Sequence, residues 1–326
     1  MRAPAAFVLA AGLGTRLRPL TDLLPKPLVP VFHKPLLTFA LDSLIAAGVG
    51  SLALNTHHLP GAFAEAFGAD PSYRDRPLSI FHEPLLLETG GGIRNARSAL
   101  GESTFLLYNG DILADLPLRD LLARHASSGA LATMLLRPGS MGGPANVLID
   151  PSSGSILDIR GELGADESLG ELAVYCGIAV FEPEIFRWIP PEGPSSIIKS
   201  LITAMRAGER VCGLLCNDRN GKLWHDLGQP STYLEAHRLL ADPANRPSYI
   251  TDPLWPRAVD PGARIRSGVS LEGMVSVGRG ASVGEGAVIR DSILWPGAVI
   301  APGSRLEGCI VSGIVPVSGD LKGEVL

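Results

Sequence analysis

Aliphatic residues recur every six positions toward the C-terminus, at Val259, Ile265, Leu271, Val277, Val283 and Ile289. After a slip of one residue they continue at Leu294, Ile300 and Leu306. Four residues after each stands a small or β-branched side chain: Ala263, Val269, Val275, Ala281, Ala287, Ile293, Ala298, Ser304 and Ile310. Glycine often precedes that second position, as at Gly262, Gly268, Gly280, Gly286, Gly297 and Gly303. One inward aliphatic per six residues is what a triangular solenoid needs. Each hexad makes one face, the aliphatic fills the narrow interior, and glycine permits the corner conformations. Nine hexads would close about three coils. A β-sandwich is the alternative, and it would have to reproduce nine periodic positions with a single slip by accident.

The preceding chain has a different grammar, alternating short apolar runs with amphipathic stretches. Phe7–Ala11 is a continuous apolar run ending in glycines, as expected of a strand buried on both faces. Leu36–Ala47 is apolar at helical intervals and stops at Gly48, a good C-cap. Strands are expected at Ser51–Asn55, Leu78–His82, Thr104–Tyr108 and Ala130–Leu136, with helices at Gly92–Leu100 and Leu116–His125. Alternation of this kind predicts a Rossmann-like α/β fold, a mostly parallel sheet with helices on both faces. Residues 241–257 hold four prolines and read as a linker. The expected domains are therefore 1–240, the linker 241–257, and the hexad region 258–326.

Composition narrows the function. A net charge of −5 over 326 residues gives no electrostatic reason to bind nucleic acid or an anionic membrane. Anionic substrates would need local positive charge. Four scattered cysteines (Cys176, Cys212, Cys216, Cys309) make no disulfide framework and read as reduced core thiols, which suits a cytoplasmic protein. The apolar run near the N-terminus passes straight into Gly12-Leu-Gly-Thr-Arg16, unlike a signal peptide with a cleavage site. No stretch approaches the roughly 20 apolar residues of a membrane span.

Several motifs could carry chemistry. In Leu9-Ala-Ala-Gly-Leu-Gly-Thr-Arg16 the turn follows a buried strand, at the sheet edge where open α/β folds bind ligands. Gly12 and Gly14 let backbone N–H groups approach a phosphate, and Arg16 adds a planar cation. Neither the dinucleotide fingerprint nor the Walker A pattern is matched, because Leu17 replaces the third glycine and no Gly-Lys-Ser/Thr follows. Lys26 stands between Pro25 and Pro27, which should hold it in an extended, rigid segment as a second phosphate cation. Asp111, in Tyr108-Asn-Gly-Asp111 just after a strand, is well placed for Mg²⁺. Gly90-Gly-Gly92 before a helix would give a flexible turn at a positive helix end. His57 and His58 read as loop or structural residues, having no third ligand nearby.

Taken together, Ala10-Ala-Gly-Leu-Gly-Thr-Arg-Leu17 and Pro25-Lys-Pro-Leu-Val-Pro-Val31 resemble the signature of the sugar-1-phosphate nucleotidyltransferases, the nucleotide-sugar pyrophosphorylases (EC 2.7.7 type). The hexads resemble the left-handed parallel β-helix of hexapeptide-repeat proteins, attached as in mannose-1-phosphate guanylyltransferases. Glu88-Thr-Gly-Gly-Gly-Ile93 looks closer to uridylyltransferases acting on N-acetylmuramate 1-phosphate, or to related heptose 1-phosphate enzymes. Trp224-His-Asp-Leu-Gly-Gln-Pro230 is similar to the family element whose aspartate, here Asp226, is a second metal ligand. One departure is His33-Lys34-Pro35, where the family commonly has Gly-Lys-Pro.

The resemblance implies a cleavage of nucleoside triphosphate, UTP or GTP, by a sugar 1-phosphate, with Mg²⁺ on Asp111 and Asp226 and with Arg16 and Lys26 at the α-phosphate. Leu9, Ala11, Gly12, Gly14, Thr15, Glu83, Thr89 and Gly90 would hold the nucleotide. The lysine that many relatives use for the sugar phosphate is missing from Leu157-Asp-Ile-Arg-Gly-Glu162, leaving Arg160, with Asn146 and Tyr175, as sugar-side candidates. The expected partners are these two small molecules, with a homo-oligomer formed through the hexads. Two other readings compete. A hexapeptide acyltransferase would usually need a histidine on the coils, and 258–326 contains none. A non-catalytic regulatory or scaffold subunit would not need Arg16, Lys26, Asp111 and Asp226 intact.

Overall fold

The computed structural model describes residues 3–139, 145–216, 223–313 and 315–326. It divides into two compact units, residues 1–12 with 40–224, and residues 13–39 with 225–326.

The first unit is mixed α/β, built on a large sheet. Strand Ala5–Leu9 lies at its centre, parallel to Ser51–Thr56 on one side and to Phe105–Asn109 on the other. Arg76–His82 extends the parallel part beyond Ser51–Thr56. Parallel strands buried on both faces should be apolar throughout, and Ala6, Phe7 and Val8 have no exposed surface at all. Helices of this unit include Glu88–Asn95, Leu118–Ser128 and Ile197–Arg206. Ile93, Ile197 and Leu201 close over Phe7 and Phe105 in one core.

Beyond Phe105–Asn109 the sheet turns antiparallel. The long strand Glu171–Phe181 pairs antiparallel with both Phe105–Asn109 and Ala132–Pro138. Its register shifts between Tyr175 and Ala179, around Gly177 with φ of 77°. The expected strand at Ala130–Leu136, observed as Ala132–Pro138, therefore sits beside this long strand and not beside Phe105–Asn109. Val211–Leu215 pairs parallel on its far side.

One local expectation fails. The three glycines do not form a turn before a helix; they lie inside helix Glu88–Asn95, which is followed by a short helix Arg97–Leu100. Close packing explains them. A Cβ on Gly90 would lie 2.9 Å from the Ser195 carbonyl oxygen, and one on Gly92 2.9 Å from Asn55 Nδ2. The glycines let neighbouring backbone and side chains touch the helix.

In the second unit the hexads form short parallel strands in three sheets. Arg264–Ile265, Ser282–Val283 and Val299–Ile300 make one; Ser276–Val277, Ile293–Leu294 and Ile310–Val311 another; Ser270–Glu272, Val288–Arg290, Arg305–Glu307 and Asp320–Lys322 the third. Partners lie 18 residues apart early on (Arg264 with Ser282, Ser270 with Val288) and 17 apart after the slip (Ser282 with Val299, Val288 with Arg305). Val277, Val283, Ile289, Leu294, Ile300 and Leu306 are all buried, with Ala281, Ala287 and Ala298 beside them. Ile265 and Leu271 differ, at 38% and 37% exposed, because no earlier hexad stacks on them. Among the described residues no helix is long and apolar enough to cross a membrane.

Candidate active site

In the first unit the site begins at the carboxyl end of Ala5–Leu9. The Gly110 N–H donates to the Leu9 carbonyl at 2.9 Å, tying the Asn109-Gly-Asp111 turn to the start of the glycine loop. Asp111 sits half-buried in that turn. Tyr108, just before it, is fully enclosed, and burial pushes its phenol above the usual range, with Asp115 adding to the effect.

A buried polar network braces the same edge. Asn55 Oδ1 accepts from the Ala10 N–H at 2.7 Å, and Asn55 Nδ2 donates to Glu83 Oε1 at 2.8 Å. Glu83 Oε2 accepts from the Leu87 N–H at 3.0 Å. Glu83 is 0% exposed. Both its oxygens are thus committed to holding the 83–87 loop. His57 is structural too, with Nδ1 2.7 Å from the Glu83 carbonyl oxygen. Asn55 belongs to none of the sequence motifs; a polar side chain ending an otherwise apolar strand is its only signal in the sequence. Thr89 and Gly90 face the 193–197 segment. Thr89 Oγ1 accepts from the Ile197 N–H at 2.9 Å, and the Gly90 N–H donates to the Ser195 carbonyl at 2.6 Å.

Asn146 and Arg160 come together, with the Arg160 N–H donating to the Asn146 carbonyl at 2.7 Å. Both line a cavity of about 420 Å³ with Asp158 and Glu167. Tyr175 is not part of that lining. It packs against the main core, and burial raises its phenol pKa. All four cysteines are buried and free; Cys176 keeps its proton because it is hydrogen-bonded to Cys216 and buried.

The second unit holds the cations. Gly14, with φ of 62°, caps a 3-10 turn Thr15–Leu17 that carries Arg16. A side chain at Gly14 would meet Thr21 Cγ2 at 2.9 Å and Lys26 Cβ at 3.0 Å, so glycine there allows the two segments to close. Gly12 and Thr15 are exposed, whereas Ala11 is buried and Leu9 half-buried. Lys26 is not in an extended segment as expected. Lys26–Leu28 is a 3-10 turn, whose φ the Pro27 ring already satisfies.

These segments converge on Asp226. Lys26 Nζ lies 2.8 Å from Asp226 Oδ1 and Arg16 Nη2 3.5 Å from Oδ2. A Cβ on Gly228 would stand 3.0 Å from Arg16 Nη2, so glycine leaves room for the guanidinium. The Lys26 side chain is 6% exposed, against 64% for Arg16 and 38% for Asp226. The lysine is fixed and desolvated while the arginine and carboxylate remain open to a ligand. Among the described residues no group of three or more His, Cys, Asp or Glu could hold a metal ion.

A family model, "Nucleotidyl transferase", matches residues 5–142. Mannose-1-phosphate guanylyltransferase of Mycobacterium tuberculosis is 31% identical over 309 residues, 94% of this chain and 79% of the relative. The chain belongs to the sugar-1-phosphate nucleotidyltransferase family. Two further relatives are matched over less than two thirds of their own length. Mannose-1-phosphate guanylyltransferase catalytic subunit beta of Dictyostelium discoideum is 30% identical over 70% of this chain and 62% of its own. UTP–glucose-1-phosphate uridylyltransferase of a Synechocystis strain is 29% identical over 57% of this chain and 50% of its own. For a nucleotidyltransferase, a cluster of two cations on one half-exposed carboxylate is chemically apt: the cations suit phosphate oxygens and the carboxylate suits a hard metal ion.

Proposed function

We propose that this nucleotidyltransferase joins UTP or GTP to a sugar 1-phosphate, releasing pyrophosphate, with Mg²⁺ held by Asp111 and Asp226. The observation that carries the reading is the contact of Arg16 and Lys26 with Asp226, at 3.5 and 2.8 Å. Carboxylate oxygens are the donors Mg²⁺ prefers, and one or two of them suffice alongside substrate phosphates and water. Bound there, the ion supplies neutralisation of polyphosphate charge.

Arg16 and Lys26 would then face the α-phosphate, where buried or clamped cations act in a low dielectric. A sugar-phosphate oxygen bonds to the α-phosphorus while the bond to the bridging oxygen breaks, and pyrophosphate leaves with that electron pair. No protein nucleophile is needed; positioning and charge stabilisation suffice. Leu9, Ala11, Gly12, Gly14, Thr15, Thr89 and Gly90 are proposed to line the nucleotide, with Glu83 bracing the base-side loop. Asn146 and Arg160 are proposed on the sugar side, Arg160 in place of a lysine, with Tyr175 supporting them. The guanylyl relatives favour GTP and a mannose-type sugar; the uridylyl relative keeps UTP in the panel.

The proposed functional division is 1–240 catalytic, 241–257 connecting and 258–326 repeat. Coils of 17–18 residues in three parallel sheets support a left-handed β-helix for the repeat. A second copy of the chain is proposed to associate through it. Four free thiols favour a cytoplasmic setting.

The test is pyrophosphate release across nucleoside triphosphates and sugar 1-phosphates, with Asp111→Asn beside the parent. Release is expected for one pairing above the rest, and the variant should lose roughly 100-fold or more while its melting curve is kept. Near-parental turnover in the variant would remove Asp111 from the site, and silence across the whole panel would end the reading.

A further inference from the structure

The segment that presents Lys26 is held from behind by the hexad region. Trp295, 3% exposed, follows strand Ile293–Leu294, and its indole Nε1–H donates to Tyr233 Oη at 3.1 Å. Tyr233, 0% exposed, stands in the first turn of helix Pro230–Ala241 and donates its own hydroxyl to the Pro30 carbonyl. Indole can only donate, so the tyrosine proton has one direction to go, toward Pro30. The result is a directed chain, Trp295 to Tyr233 to Pro30, ending four residues from Lys26.

Further contacts hold the same segment. The Phe32 N–H donates to His237 Nε2 at 3.2 Å, which leaves the His237 proton on Nδ1, facing the Tyr233 carbonyl at 2.9 Å. Burial holds His237 neutral, its pKa lowered to about 4. The Leu36 N–H donates to the Val29 carbonyl at 3.0 Å, closing the loop upon itself. Trp255 packs edge-on against Phe32 and Phe39, with ring centroids 6.3 and 5.4 Å away. Every one of these residues belongs to the second compact unit.

Packing alone would not require this chain of donors. A buried indole and a buried phenol each cost free energy unless satisfied, and here each is satisfied by the next group toward the lysine segment. We propose that Trp295 and Tyr233 are positioning residues for Lys26, so that the repeat sets where the lysine stands during nucleotidyl transfer. The hexad region then contributes to turnover in each chain, apart from any role in assembly. The inference rests on the reading of Lys26 as a cation for the reacting phosphate.

The experiment uses the full chain with Tyr233→Phe, Trp295→Phe, the two combined, and Lys26→Ala, and the first three also in the Lys26→Ala background. Loss of one hydrogen bond in the relay should lower kcat about tenfold and change KM for the nucleotide less than twofold, since the lysine shifts without a binding contact being lost. The double variant should lose no more than either single one, because the two act in series. In the Lys26→Ala background neither change should lower kcat further. A general structural role would instead lower kcat further in that background, and would overturn the proposal. So would parental kcat in Tyr233→Phe and Trp295→Phe when Lys26→Ala is impaired. If Lys26→Ala itself turned over normally, the assignment of the lysine to the phosphate would fall, and the proposal with it. Should Trp295→Phe fail to fold, the isosteric Tyr233→Phe arm decides alone.

Discussion

Leu9–Arg16 is one short stretch of chain, yet its two ends are held by opposite means. At the Ala10 end, Asn55 and Glu83 form a network with no exposure at Glu83, and every link is a hydrogen bond to backbone or amide. At the Arg16 end, the links are charges, with Arg16 mostly and Asp226 partly open to solvent beside the buried Lys26. A buried network is rigid because breaking any link strands a polar group in low dielectric. An open ion pair gains little from closure, since water screens it, and can therefore exchange partners when a phosphate or metal arrives. The first arrangement fixes shape. The second stores exchangeable charge.

Substitutions can break that contrast, and the largest effect belongs to the charged end. Asp226→Asn should lower kcat roughly 100- to 1000-fold with only a modest fall in melting temperature, because the Arg16 arm of the cluster is open to solvent and the asparagine amide oxygen can still accept from the buried Lys26 ammonium. A steady-state assay with a thermal melt measures both. A large loss of stability there would show that Asp226 is structural.

The buried end should respond the other way. Glu83→Gln turns one acceptor into a donor, facing either Asn55 Nδ2 or the Leu87 N–H. The expected cost is about 1–3 kcal/mol, a fall of several degrees in melting temperature. Turnover near saturation should change much less than in Asp226→Asn. Unchanged melting would mean the network does not brace the loop.

The smallest effect is expected at the open cavity. Arg160 is exposed and its backbone, not its guanidinium, makes the bond to Asn146. Arg160→Ala should raise KM for the sugar phosphate about three- to tenfold, a loss near 1 kcal/mol, and leave KM for the nucleotide alone. Equal effects on both substrates would place Arg160 outside sugar recognition.

Much of this was legible from residue pattern. The first strand, the helix Leu36–Ala46 and the second strand lie within a residue or two of their expected positions, since buried parallel strands and capped helices leave strong local signals. The hexad aliphatics were legible for the same reason, apart from Ile265 and Leu271, whose strands lie first in their sheets with no earlier strand packed on them. The three glycines suggest a turn but lie in a helix, because sequence shows that a side chain is missing, not what presses into the gap. The flanking prolines suggest an extended Lys26 but suit its 3-10 turn equally, because they fit more than one backbone path.

Periodicity, glycine and proline placement fixed which segments become strands, helices and coils, because those choices are governed by neighbours a few residues away. Which polar groups meet was decided only by the folded chain. Lys26 and Asp226 are 200 residues apart in sequence and 2.8 Å apart in space. Trp295 reaches Tyr233 across 62 residues, and Asn55 reaches Ala10 across 45. Pairings of that range depend on how whole elements pack, and no local pattern encodes them.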